Sequence, residues 1–433
     1  MTLPDTPVYA VPEPNLVPVD DYLARLYQIP PSRMFLINKS LKVFQKKYPE
    51  RPFFDASQGD GGASLPGVPL QILERAAQLQ IEHGTAYDMP YGTDEYRKVV
   101  IEKYWQLDTD LGFGPANVVA TVGGRDALVK AFQAMLALGH GRTGDLVIVS
   151  RVPWISYNWG PYSIGANVLW APGRPEEGWA YSEESLLACV DFAARSGRKI
   201  AGLVITNPDN PTGLTITPQR QASLAKAALK AGVAFVLFDW MYHYVTDEQS
   251  MDLNAFLKLF EPEERPRLIF LDGITKSLGA SNVRNCHLIA SPEVVKFIVA
   301  RASHTVIPSF FSLAVAMAAY EMGYAAASRS IIEPTNLSRK VLQDFLIAQG
   351  FTHILGKGYY AFIEVGKWLS ARGWADSEPL GQVLAEDFGL AIVPGAFFSP
   401  YGGSWIRFSY ATPPQRTLGA AQRLLEGLQA LIG

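Results

Sequence analysis

The sequence predicts an α/β fold: a large domain with a mainly parallel seven-stranded sheet covered by helices, plus a smaller α+β domain. Two observations carry this. Seven short runs rich in Val, Ile and Leu recur between residues 117 and 290, and helical patterns separate several of them. The rhythm then changes after residue 325. Nearly continuous apolar runs suit strands buried on both faces, and their alternation with helices makes the sheet mainly parallel.

The predicted strands span residues 117–122, 145–150, 167–171, 200–206, 233–239, 267–272 and 286–290. A helix over 125–138 places Leu128, Phe132, Met135 and Leu136 on one face. A second, over 217–231, has Thr217 as cap, Pro218 at its first position and Gly232 at its close. In such a sheet the functional groups sit at the carboxyl ends of the strands. Beyond residue 325 a long helix is expected from Pro334 to Gln349, then extended runs at 359–365 and 405–410. The expected division is an N-terminal arm over 1–20, a large domain over 75–325, and a small domain joining 21–74 to 326–433. The arm is read from Pro4, Pro7, Pro12, Pro14 and Pro18, which fix φ and donate no hydrogen bonds.

Composition narrows the function. Of 433 residues 48% are hydrophobic and 18% charged, with net charge −3, a globular balance with no basic stripe for nucleic acid. No apolar stretch suggests a membrane span, and the N-terminus lacks the pattern of a secretion signal. Cys189 and Cys286 are read as buried thiols in a reducing compartment, and cytoplasmic location is the expectation. No metal site is expected.

The chemistry resides in motifs that follow in order. Asn207-Pro208-Asp209-Asn210-Pro211-Thr212-Gly213 forms a rigid loop directly after the fourth run. Asp239-Trp240-Met241-Tyr242 follows the fifth. Lys276-Ser277-Leu278-Gly279 precedes Arg284 by eight positions. Trp405-Ile406-Arg407-Phe408-Ser409-Tyr410 comes near the C-terminus, after Pro394-Gly395. Upstream, Tyr87, Gly92 and Arg97 keep the spacing YxxxxGxxxLR with Tyr96 in place of Leu. This order resembles the class I/II (fold-type I) aminotransferases, enzymes dependent on pyridoxal 5′-phosphate (PLP), and the resemblance spans Gly59 to Tyr410.

The resemblance implies a role for each position. Lys276 holds PLP as a Schiff base and carries the proton at the substrate Cα. Asp239 pairs with the pyridinium nitrogen and keeps the ring an electron sink. Tyr242 and Asn210 hydrogen-bond the ring oxygen, and Trp154, after Pro153, stacks on the ring. The turn Thr121-Val122-Gly123-Gly124-Arg125 opens a helix, with Gly124 and Arg125 offering backbone amides to the phosphate. Arg284 pairs with the same phosphate. Tyr87 reaches the phosphate of a neighbouring subunit, so a homodimer is implied. Arg407 clamps the substrate α-carboxylate in a two-pronged fork, aided by Asn210 and Trp154, and Gly59 lines the substrate side by its backbone.

The leading reading is transfer of an amino group between an amino acid and a 2-oxo acid. Three departures keep alternatives open: Gly273 replaces a hydroxyl residue three before the lysine, Trp240 is bulky, and Gly59–Ser64 reads differently from the family's loop. They admit an unusual substrate, or lyase, decarboxylase, oxidase or synthase chemistry on the same cofactor. A non-catalytic PLP-binding regulator is the reading from another class. Thr275 is expected to face away from the phosphate if its segment is extended. Trp154, Tyr157, Trp159 and Tyr162 are the candidates for an aromatic-lined pocket.

Overall fold

All seven predicted strands form, and they share one sheet. A computed structural model describes residues 22–139, 141–245 and 251–432, so the N-terminal arm expected over 1–20 lies outside the described residues. After β1 (Phe54–Asp55), the chain lays down β2 (Val118–Thr121), β3 (Leu146–Val149), β4 (Asn167–Trp170) and β5 (Ile200–Thr206). Then come β6 (Phe235–Asp239), β7 (Leu268–Asp272) and β8 (Cys286–Ile289). Their spatial order is β2-β8-β7-β6-β5-β3-β4, and only β8 runs antiparallel to its neighbours.

Period-two alternation sorts each strand between two cores. Leu203, Ile205, Val236, Phe238, Leu268 and Phe270 enter the core on one face. Val204, Phe235, Leu237, Ile269 and Leu271 enter the core on the other. Both faces are therefore apolar, which is why the runs look continuous in the sequence. The helix Gly124–Leu138 covers the second face, and Pro218–Lys230, opened by the Thr217 hydroxyl on the Arg220 amide, covers the first.

Four further strands, β9 (His353–Leu355), β10 (Tyr360–Glu364), β12 (Val393–Pro394) and β13 (Trp405–Ser409), make an antiparallel sheet ordered β12-β13-β10-β9. A two-stranded parallel pair joins β1 to β11 (Leu390–Ala391). Together the small strands build a third core around Leu342, Ile363, Ile406 and Phe408.

The long helix differs from its expected start. It runs from Tyr324 to Ala348, with Pro334 in its interior. Pro334 had the look of a first-turn proline, but the residues before it, Tyr324, Ala327, Ser328 and Ile331, are buried and hold the helix together upstream. Among the described residues no single helix is long and apolar enough to cross a membrane.

Trp240 also resolves into packing. It is fully buried on the face away from Asp239, donates its indole N–H to Gln221 Oε1 at 2.9 Å, and meets Phe256 edge-on at 4.9 Å. Its bulk fills the core and does not touch a substrate. Trp240→Ala is therefore expected to cost about 3–5 kcal/mol of stability in urea unfolding. An unchanged unfolding midpoint with altered substrate preference would reverse this placement.

Candidate active site

Strand direction gathers the motifs. The carboxyl ends of β2, β3, β5, β6 and β7 emerge at one edge of the sheet, and so does the start of β8. There a cavity of about 590 Å³ opens, bordered by Lys276, Asp239, Tyr242, Asn210 and Trp154. Gly59, Gly124, Arg125, Arg284 and Arg407 border it too. The sequence-predicted site residues thus converge, with one exception. Tyr87 stands 97% exposed on the outside of the single chain.

Asp239 ends β6 on the cavity face, in step with Phe235 and Leu237. It is buried, so desolvation pushes its carboxyl up to about 6 despite two hydrogen bonds. Those bonds come from the Tyr157 hydroxyl at 2.6 Å and the Met241 amide at 3.1 Å. Tyr157 is itself the acceptor of a 2.9 Å bond from Thr206 Oγ1. Lys276, half-buried on a turn after β7, donates from Nζ to the Gly59 carbonyl, and Nζ lies 5.8 Å from the centre of the Tyr242 ring.

At the other end of the cavity, Gly123 adopts φ 78° and the helix begins at Gly124, leaving amide groups directed at the cavity. Arg284 holds a left-handed φ of 61°, a conformation that costs a non-glycine residue about 1–3 kcal/mol. Its guanidinium donates to Ser281 O at 2.7 Å and Val122 O at 3.4 Å, beside that turn. Arg125 is exposed at the cavity wall, its guanidinium 5.9 Å from the Trp154 ring.

Arg407 comes from β13 and is 4% exposed. Nη1 donates to Asn210 Oδ1 and Nη2 to Ser57 O, each at 2.8 Å, while buried Nε has no partner among the described residues. The guanidinium lies 4.2 Å from the centre of the Tyr360 ring. Tyr360 Oη is 2.9 Å from Tyr242 Oη. The cis bonds Asn207-Pro208 and Asn210-Pro211 shape the loop that presents Asn210.

A PLP molecule finds matching groups here. A primary amine, a buried carboxylate, three phenols, a flat indole and a helix N-terminus with an arginine beside it face one space. That set matches an aldehyde, a basic ring nitrogen, a ring oxygen, an aromatic face and a phosphate.

Two sequence expectations change. Residues 274–278 form a turn and not an extended run, so Thr275 borders the cavity, as does Ser281. Gly273 has no room for a hydroxyl side chain: a Cβ there would stand 2.6 Å from Cys286 Cα and 2.7 Å from the Asn285 carbonyl. The aromatic cluster divides. Trp154 and Tyr157 border the cavity, whereas Trp159 borders a neighbouring one of about 300 Å³ and packs on Tyr162. Sequence reasoning missed Tyr360, Ile37 and the role of Tyr157. None lies in a recognised motif, although Tyr360 sits in a predicted strand and pairs in register with Ser409, two residues beyond Arg407.

A family model described as aminotransferase class I and II matches residues 54–424. The chain is 24% identical over 374 residues to an aspartate aminotransferase of Geobacillus stearothermophilus, covering 85% of this chain and 91% of the relative. An aspartate/prephenate aminotransferase of Thermus thermophilus is 25% identical over 362 residues, with 82% and 86% covered. The fold matches a double mutant of T. thermophilus aspartate aminotransferase with TM-score 0.78 at 23% identity, covering 93% of this chain and 98% of that one. An aminotransferase from Mycobacterium tuberculosis matches with TM-score 0.78 at 21% identity, over 93% and 98% of the two chains.

The close approach of Gly59 to the cavity gives a test. A Cβ at Gly59 would lie 2.5 Å from Tyr360 Oη and 3.7 Å from Lys276 Nζ. Gly59→Ala should therefore displace Tyr360 and cost about 1–3 kcal/mol by overpacking. Thermal unfolding reads the loss, and Gly59→Ala combined with Tyr360→Phe should regain part of it.

Proposed function

The chain belongs to the aminotransferase class I and II family, and from that premise we propose that the cavity at the strand ends holds PLP on Lys276. The enzyme is an aminotransferase, and its family is PLP-dependent. The observation that carries the site assignment is the convergence of Lys276, Asp239, Asn210, Arg284 and Arg407 from four separate segments on one cavity.

PLP, when bound, withdraws electrons from the substrate Cα and carries the amino group between substrates. The protein supplies the rest. Lys276 is the attachment amine, and its Nζ takes the proton from the substrate Cα and returns it. Asp239, its carboxyl pushed up by burial, is the counter-ion for a ring N–H. A cation there favours its ionised form, opposing the effect of burial. Tyr157 holds that carboxylate through its hydroxyl. Gly124, Arg125 and Arg284 hold the phosphate. Tyr242 and Asn210 hold the ring oxygen, and Trp154 covers the ring.

Arg407 receives the substrate α-carboxylate, supported by its buried, unpartnered Nε. Gly59 forms the facing wall by its backbone. The near-complete exposure of Tyr87 supports a second copy of the chain covering it, with Tyr87 directed at the partner's phosphate site. The enzyme so assembled is a cytoplasmic homodimer that exchanges an amino acid for a 2-oxo acid.

The visible spectrum of the full chain with PLP, before and after a panel of amino acids, tests this. A yellow band should form and should bleach with particular amino acids as 2-oxo acid appears. Aspartate, from the relatives' names, heads the panel. A different long-lived absorbing species, or no 2-oxo acid, would point to other chemistry. Lys276→Ala should abolish the band with the fold intact, and near-normal turnover by that variant would defeat the assignment.

Arg407→Ala should weaken carboxylate-bearing substrates by about 2–4 kcal/mol, read as kcat/KM. Equal reaction of amines lacking a carboxylate before and after the change would remove the clamp.

A further inference from the structure

A second buried carboxylate lies behind the wall that carries Asp239, and the chemistry above leaves it unused. Asp272 ends β7 in step with Leu268 and Phe270, on the face of the sheet opposite to Asp239. It is 1% exposed. Its Oδ2 accepts a hydrogen bond from the Tyr104 hydroxyl and another from His243 Nε2 at 2.8 Å.

The tautomer of His243 follows from its other bond. Nδ1 accepts the Met251 amide N–H at 3.1 Å, so the ring N–H is on Nε2. Trp105 stacks on the imidazole at 5.0 Å and fixes its plane. His243 therefore donates to Asp272 from Nε2.

The other groups around the carboxylate among the described residues are two side chains of β8 and five phenols. From β8, His287 accepts the Trp105 indole N–H on Nε2, and burial holds its imidazole down to about 4. Cys286 from β8, its thiol pushed up to about 12 by burial, stays neutral. Tyr104, Tyr96, Tyr320 and Tyr324 from the surrounding helices, and Tyr244 from the turn, are phenols raised by burial. Among the described residues no lysine or arginine is paired with Asp272. Its negative charge is felt at Asp239, whose proton affinity it raises.

The cluster also grips the chain beside the site residues. His243 follows Tyr242. Asp272 precedes Lys276 by four positions, and Ser277, next to Lys276, lies 2.5 Å from the Tyr324 hydroxyl.

We propose that Asp272 is a positioning residue: held by Tyr104 and His243, it fixes the turn presenting Lys276 and places a second negative charge behind Asp239 that favours the cationic form of the bound cofactor. The inference rests on the PLP assignment above.

The test uses Asp272→Asn in the full PLP-loaded chain. An amide oxygen in the place of Oδ2 can accept both hydrogen bonds, so mainly the charge is lost. The readout is the pH midpoint of the visible band. Loss of a negative charge disfavours the protonated form, so the midpoint should fall, by about 0.5–1 pH unit for a charge screened as in a protein interior. Tyr104→Phe keeps the ring stack and withdraws the hydroxyl bond to Asp272 Oδ2. It should move the midpoint the same way by less, and it serves if Asp272→Asn does not fold. An unmoved midpoint in a folded, PLP-loaded variant overturns the proposal, even if stability falls. No band in the unaltered chain overturns the PLP assignment instead.

Discussion

Burial of a carboxylate at the end of a strand, with no ion pair to it among the described residues, is the constraint around which this site is built. Asp239 has two donors, Tyr157 and the Met241 amide, yet burial still pushes its carboxyl up to about 6. A buried acid in that condition is a cost to the fold near neutral pH. The sign follows from linkage: a folded-state affinity for protons above the unfolded value favours folding below about pH 4, and that advantage is lost as pH rises through about 6. A positively charged ring nitrogen in the cofactor proposed above would offset the cost and link stability to cofactor binding through one side chain. Asp209, half-buried in the loop that carries Asn210 and likewise pushed up to about 6 by desolvation, adds a second cost of this kind next to a site residue.

Much of this was legible in the sequence because two physical signals coincide there. Strands buried on both faces must be apolar at every position, so β2 to β8 stand out as runs, as Leu203 to Ile205 illustrate. Parallel strands then bring their carboxyl ends to one edge, which is why Asn210, Asp239 and Lys276, far apart in the chain, could be expected to meet. Alternation even fixes direction in the small sheet: Ile406 and Phe408 enter the third core, so Arg407 between them must face the other way.

What escaped has equally specific reasons. Pro334 carries the same local signature whether it opens a helix or sits within one, and only the burial of Tyr324, Ala327 and Ile331 upstream distinguishes the two. Trp240 and Gly273 appeared as departures bearing on substrate, but each answers to its neighbours in the core. The indole fills the space beside Phe256 and Phe270, and the glycine leaves space for Cys286. A sequence shows that a position is unusual without showing which face of the sheet it serves. Tyr157 and Tyr360 were missed for the converse reason, since their roles depend on contacts 82 and 118 residues distant in the chain.

Those two tyrosines also explain why the ends of the cavity cannot be treated as independent. Arg407 donates to Asn210 and stacks on Tyr360, which in turn meets Tyr242. The group assigned to the substrate carboxylate therefore shares partners with both groups assigned to the cofactor oxygen. Tyr360 and Arg407 arrive from the four-stranded sheet, Asn210 and Tyr242 from the ends of β5 and β6 in the larger one. A carboxylate that drew Nη1 of Arg407 away from Asn210 would free the amide oxygen and alter what holds the ring. Energies of residues joined in this way are not additive, because removing one changes the partners of the next. On the roles proposed above, substrate recognition and cofactor tuning share one set of hydrogen bonds and ring contacts spanning the two sheets.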